Sequence, residues 1–160
     1  MKNNVAVNVD GVALPEWIDA LVAYVHKVLK KIEKDNWELS ILLCTDKVIK
    51  RLNKKYRNKA GATDVLSFEL GIEECSDEGK VKYYPGDIVI SMETLHENAR
   101  YFNISEDEEL RRLVIHGILH LNGMDHYKND EGEEMIALQE AILSALNAEH
   151  ILPEGVDNGG

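Results

Sequence analysis

The sequence predicts an α+β fold, a single compact domain in which a mixed sheet of about four strands packs with about five helices. A chain of 160 residues is the size of one domain, and its 44% of hydrophobic residues suffices for a buried core. Segments with strand-like alternation and segments with helical spacing both occur, but they do not alternate strictly along the chain. We expect the domain to span residues 1–152 and the end, 153–160, to be a flexible tail.

The first half of the chain contains three predicted strands and two predicted helices. The strands are VAVNVD, WELSILLC and ATDVLSFEL. Between the first two, Pro15 opens a helix of about twenty residues whose apolar side chains recur at helical spacing. Thr45 or Asp46 then caps a short helix that extends to about Tyr56.

The second half is predicted to be mainly helical. Residues 71–85 form a polar loop or a hairpin, and GDIVIS is the fourth strand. Helices are expected at about 92–101 and 130–148. Between them, Ser105 and Glu108 form a capping box at the start of another helix, and Gly123 ends that helix in a left-handed conformation.

The charge of the chain narrows the possible functions. The formal net charge is −11, so the whole molecule repels polyanions at long range. No apolar run reaches the roughly 18 residues that a spanning helix needs, and the first residues lack the apolar segment of a signal peptide. With 2 cysteines the chain has no disulfide framework, and we expect a cytoplasmic protein without a membrane partner.

Basic residues nevertheless concentrate in two places. The stretch from Lys47 to Lys59 contains no acid, and a second basic set ends the first helix. The first set consists of Lys47, Lys50, Arg51, Lys54, Lys55, Arg57 and Lys59, and the second of Lys27, Lys30, Lys31 and Lys34. One face of the molecule could therefore still attract a polyanion.

The segment HGILHLNGMDH places three histidines where they could bind one metal ion. His116 and His120 are four residues apart on a helix, so their imidazoles project from the same face. Gly123 ends the helix and allows the chain to bring His126 to the same point. Three nitrogen ligands leave a tetrahedral zinc with one open position, which is the catalytic arrangement.

A metal site of this spacing usually carries a base that is missing here. The metzincin protease pattern has the same ligand spacing, but its glutamate after the first histidine is replaced by Gly117. Peptide hydrolysis is therefore disfavoured, whereas a phosphodiester has a better leaving group and gains more from a cation. The glycine either leaves room for a bulky substrate or allows close helix packing. Single histidines are usually solvent-facing or satisfied in the core, and His26, His96 and His150 are interpreted in that way.

Four blocks of this sequence resemble the bacterial YbeY family of rRNA-processing endoribonucleases. They are the L-N-x-x-Y-R, T-D-V-L-S-F and G-D-I patterns, followed by H-G-x-L-H-L-x-G-x-D-H, in that order. The resemblance implies one zinc-like ion on His116, His120 and His126, and cleavage of single-stranded RNA. It also implies maturation of the 16S rRNA 3′ end, ribosome quality control, association with the small ribosomal subunit, and a position for Arg57 in the same cleft. DNA is not an expected partner.

Two further residues have alternative interpretations. Arg57 could clamp a phosphate with its planar guanidinium or make an ordinary surface ion pair. Asp125 could hydrogen-bond a ligand imidazole or cap the turn. We therefore expect a zinc-dependent endoribonuclease whose catalytic residues are Arg57, His116 and His120. The alternative is a non-catalytic ribosome-assembly factor with a structural metal, which the acidic balance and the missing base favour.

Overall fold

The computed structural model describes residues 2–57, 64–124 and 129–153, except for the side chains of residues 57 and 129–132. Its elements, in chain order, are β1 (Asn4–Asp10), α1 (Ile18–Lys31), β2 (Trp37–Cys44), α2 (Asp46–Arg57), β3 (Val65–Cys75), β4 (Val81–Ser91), α3 (Met92–Phe102), α4 (Glu106–Leu121) and α5 (Asn129–Ala145). The predicted α+β class is confirmed. None of the helices in the described ranges is long and apolar enough to cross a membrane.

The four strands form one mixed sheet in the order β1-β2-β4-β3. The first three in this order are parallel, and β3 pairs antiparallel with β4. Residues 71–85, for which the sequence allowed either a loop or a hairpin, form the distal part of a β3–β4 hairpin. Its turn is closed by a hydrogen bond from the Ser76 amide to the Lys80 carbonyl. Both β1 and β3 are therefore edge strands.

The two faces of the sheet are covered by different helices because side chains alternate along each strand. One face, which includes Ile41 and Ile88, belongs to the main core with α1, α3, α4 and α5. The other face packs against α2 through a smaller cluster that includes Ile49 and Val89. The sheet thus separates α4 from α2.

The helix ends agree with the sequence in most cases. The Ser105 side chain accepts a hydrogen bond from the Glu108 amide at the start of α4, and Gly123 follows this helix with φ at +89°. Thr45, rather than Asp46, caps α2 by accepting from the Val48 amide. The predicted length of α1 was wrong: it has 14 residues and begins at Ile18. It ends early because residue 33 is left-handed and the next amide bonds back to the helix.

A buried carboxylate ties the end of the chain to the first turn of α4. Asp107 is 6% exposed and accepts hydrogen bonds from the amides of Ile151 and Leu152 at 2.7 and 2.8 Å. Its carboxylate also accepts from the guanidinium of Arg111 at 2.9 Å. Burial alone would raise the pKa of Asp107, but hydrogen bonds from His150 and the two amides lower it overall. These contacts fix the start of α4.

Gly86, the glycine of the GDIVIS block, allows β4 to approach β3. Its φ is +141°, and a Cβ at this position would lie 1.9 Å from the carbonyl oxygen of Phe68. No side chain fits there without displacing the backbone of β3.

Gly86→Ala is therefore expected to lower the free energy of unfolding by about 3 kcal/mol or more, because backbone would have to move. Gly79 is the matched control, since its φ is +78° but nothing lies within 4 Å of a Cβ. Gly79→Ala should cost about 1 kcal/mol from its backbone conformation alone. Urea denaturation measures both, and equal losses would contradict the steric explanation.

Candidate active site

His116 and His120 lie side by side on α4, as their spacing predicts. Their ring centroids are 6.0 Å apart. Both residues are partly exposed, whereas most of the helix around them is buried. Two elements flank the pair: α5 contacts His116 through Gln139, and β3 approaches His120 through Glu69.

The contact to α5 fixes which nitrogen of His116 carries its hydrogen. The Oε1 atom of Gln139 lies 2.8 Å from Nδ1 of His116, and the amide nitrogen of Gln139 donates to Glu140 at 3.1 Å. A carboxylate only accepts hydrogen bonds, so the amide nitrogen must face Glu140 and the amide oxygen must face the imidazole. An amide oxygen also only accepts. Nδ1 of His116 is therefore the protonated nitrogen, and in the neutral ring Nε2 carries the lone pair that can bind a metal.

An ion pair behind Gln139 holds this arrangement in place. Arg112 donates to both carboxylate oxygens of Glu140, at 3.0 and 3.1 Å. This bidentate bond holds the pKa of the Glu140 carboxyl below its ordinary value. A depressed carboxyl pKa means that the pair persists at neutral pH and weakens only as the pH falls below the usual glutamate range. Arg112 on α4 thus orients His116 on the same helix through two residues of α5.

His120 has an acidic neighbour on β3. Nδ1 of His120 lies 3.9 Å from Oε1 of Glu69, which is too long for a hydrogen bond. The His120 side chain is 16% exposed and that of Glu69 is 64% exposed. The carboxylate therefore lies at the solvent side of the site, where it adds negative potential.

Gly117 faces the sheet and not the histidines. A Cβ at this position would lie 2.9 Å from Cγ2 and 3.0 Å from Cδ1 of Ile88 on β4. Of the two explanations that the sequence left open, the geometry supports close helix packing. A glutamate here, as in the protease pattern, would have to displace the core side chain of Ile88, so this position cannot supply a base without repacking.

The structure brings together only part of the predicted site. His116 and His120 are neighbours, but Asp125 and His126 lie outside the described residues, as does the side chain of Arg57. Within residues 2–56, 64–124 and 133–153, no three His, Cys, Asp or Glu side chains are placed to hold a metal. The two described imidazoles could contribute two nitrogen ligands to one ion.

Sequence reasoning missed the two neighbours of the histidines. Gln139 is 7% exposed and lies on the buried face of α5, four residues from both Met135 and Leu143. A polar residue on an apolar helix face was the available signal, since buried amides require partners. For Glu69 there was no comparable signal, because an acidic residue on an edge strand is ordinary.

The chain is similar to known proteins along nearly its whole length. A family model described as Endoribonuclease YbeY matches residues 2–147. The protein named Endoribonuclease YbeY from Treponema pallidum (strain Nichols) is 46% identical over 142 residues, covering 89% of each chain. Its namesake from Treponema denticola is 48% identical over 120 residues, covering 75% of this chain and 77% of that one. The solution structure of TM1509 from Thermotoga maritima has a TM-score of 0.60 at 28% identity, covering 98% of this chain and 99% of that one.

The close approach at Gly117 predicts an unusual result for Gly117→Ala. In an exposed helix this change would stabilise the fold by about 1 kcal/mol, whereas here the collision with Ile88 should make it destabilising by about 1–3 kcal/mol. Chemical denaturation of Gly117→Ala, Ile88→Ala and the double variant measures the coupling. The double variant should lose less stability than the two single losses added together, because the new methyl fills space that Ile88 leaves. Additive losses, or a stabilised single variant, would contradict the packing role.

Proposed function

Because the chain belongs to the YbeY endoribonuclease family, we propose that it is a zinc-dependent, single-strand-specific endoribonuclease. The proposed ligands of one zinc ion are His116, His120 and His126. We further propose that the substrate is the 3′ end of 16S rRNA, and that the protein acts in ribosome quality control in association with the small subunit.

The observation that carries this proposal is the fixed orientation of His116. Gln139 holds the hydrogen on Nδ1, which leaves the Nε2 lone pair for a metal. His120, one turn away, provides a second imidazole on the same face of α4. Imidazole nitrogens are preferred ligands of zinc, so the chemistry of the described donors fits the ion. His126 is assigned as the third ligand from its spacing and from the family pattern.

Different residues of this chain would have different roles in phosphodiester cleavage. When bound, zinc supplies a Lewis acid that neutralises charge developing on the phosphate. His116 and His120 would hold the ion together with His126, and Gln139 keeps the His116 ring in the binding orientation. Arg57 is proposed to clamp a phosphate of the substrate with its guanidinium. Since residue 117 is a glycine packed on the sheet, the proton of the nucleophile has to leave by a route that does not involve this position.

Removal of either helix histidine should abolish both metal binding and cleavage. We expect His116→Ala and His120→Ala to lose the bound ion, about one equivalent in the wild type, together with cleavage of single-stranded RNA. His26→Ala is the control, because His26 lies on α1 outside the site. Metal content by mass spectrometry and gel-based cleavage are measured on the same preparations.

Two outcomes would contradict the proposal in different ways. Full cleavage by a metal-free double variant would exclude a metal-dependent mechanism. Absence of cleavage in the metal-loaded wild type, with association to ribosomes retained, would favour an assembly factor with a structural metal.

Gln139 offers a separate test of how His116 is positioned. Gln139→Leu removes the acceptor of the Nδ1 hydrogen and should weaken zinc binding by about 10–100-fold. Gln139→Glu keeps an acceptor oxygen facing Nδ1 but loses the donor to Glu140, so it should restore part of the affinity. Zinc titration against a chelating dye measures this, with circular dichroism to confirm folding. Equal affinities for the leucine and glutamate variants would show that Gln139 acts only in packing.

A further inference from the structure

Helix α2 presents a basic stripe to solvent. We use the name basic stripe for five exposed residues on one side of α2, Lys47, Lys50, Arg51, Lys54 and Lys55. Their spacing of three, four, seven and eight residues from the first places them on one face of a helix. The opposite face packs on the sheet in the cluster of Val48, Ile49 and Leu52. Because α2 is packed on the sheet through this cluster, the basic stripe has a fixed position on the surface of the protein.

The charge of this stripe is only partly compensated by neighbouring acids. Within the described part of the chain, Arg51 is its one member with an ion-pair partner, Asp10 at 3.6 Å. Asp46, the acid in the first turn of α2, accepts hydrogen bonds from the hydroxyls of Ser91 and Thr94, which lower its pKa, and the charge of Lys50 lowers it further. No acid in the described residues forms an ion pair with Lys47, Lys54 or Lys55. In a chain of net charge −11 the stripe is thus a local positive region that fits a polyanion.

An aromatic surface continues from the end of the stripe. Tyr56 is 60% exposed and meets the ring of Phe68 edge-on, with centroids 5.6 Å apart. Both line a cavity of about 490 Å³, whose lining also includes the polar residues Asn8 and Ser40 and the acidic Asp87. Aromatic rings beside cations form a surface on which unpaired bases stack, and polar groups of the lining can hydrogen-bond a base edge.

The aromatic surface and the histidines lie on opposite sides of one edge strand. Phe68 points toward α2, while the next residue, Glu69, approaches His120 on the other face. Since β3 forms the edge of the sheet, a flexible strand can pass around it from one face to the other. The two surfaces therefore meet at consecutive residues of β3.

We propose that the basic stripe and the adjoining cavity bind single-stranded RNA outside the bond that is cleaved. Phosphates lie on the lysines, and a base stacks at Tyr56 before the strand passes around β3 to the histidines. The choice of RNA as the polyanion rests on the proposed function. The binding itself does not require the metal ligands, so the two proposals can fail separately.

The test compares two pairs of lysines that carry the same charge. Lys50→Gln/Lys54→Gln removes two charges from the stripe, and Lys30→Gln/Lys31→Gln removes two exposed charges from the end of α1. Binding of a fluorescent single-stranded RNA of about 16 nucleotides, with cleavage-resistant phosphorothioate linkages, is followed by anisotropy across a salt series. Loss of two phosphate contacts should reduce the slope of log K against log salt by about 1.4 and weaken binding about tenfold near 0.15 M salt. The α1 variant should match the wild type.

Tyr56→Ala separates stacking from charge. It should weaken RNA binding about tenfold while leaving the salt slope unchanged, because it removes a ring and no cation.

Equal losses in both lysine variants would indicate diffuse attraction and overturn the proposal, as would the absence of a loss in both. Polyglutamate that competes as strongly as RNA of equal charge would assign the stripe to an acidic protein partner instead. If binding follows the stripe but cleavage survives in the His116→Ala/His120→Ala variant, the RNA surface stands and the metal-dependent mechanism fails.

Discussion

The close approach of α4 to β4 at Gly117 is the constraint on which the rest of the structure depends. A Cβ at this position would lie 2.9 Å from Ile88, so a larger residue would have to displace Ile88 or move the helix away from the sheet. The burial of α4 against the sheet in turn determines where His116 and His120 emerge, since both are on the same rigid helix. The residue that replaces a protease's base is thus also the residue that positions the proposed ligands.

Contacts of α4 with its neighbours fix the orientation of the helix and of the His116 imidazole. Asp107 anchors the first turn by accepting from two amides near the end of the chain, and Arg112 reaches α5 to hold Glu140. Through Gln139 this second contact fixes the protonated nitrogen of His116. Fixing the imidazole in advance means that less of the binding free energy of an ion is spent on ordering its ligand.

The sequence predicts features that depend on near neighbours in the chain. The Ser105 cap, the left-handed Gly123 and the pairing of two histidines across one helical turn all follow from local spacing, and the structure contains them. Features that depend on tertiary contacts could not be predicted from the sequence. The role of Gly117 requires the knowledge that Ile88 lies opposite, and the role of Gln139 requires the register of α5 against α4. The predictions for Asp125, His126 and the Arg57 side chain concern parts of the chain outside the described residues.

The net charge of −11 does not show that acidic and basic residues lie on different faces of the sheet. The histidines have the acidic Glu69 beside them, whereas the basic stripe lies on the opposite face with α2.

The most direct test of the account is a crystal structure of the zinc-loaded protein. The account predicts one ion bound by Nε2 of His116 and Nε2 of His120, with Gln139 still accepting from Nδ1 of His116. An ion bound elsewhere, or bound through Nδ1 of His116 with the Gln139 contact broken, would contradict it.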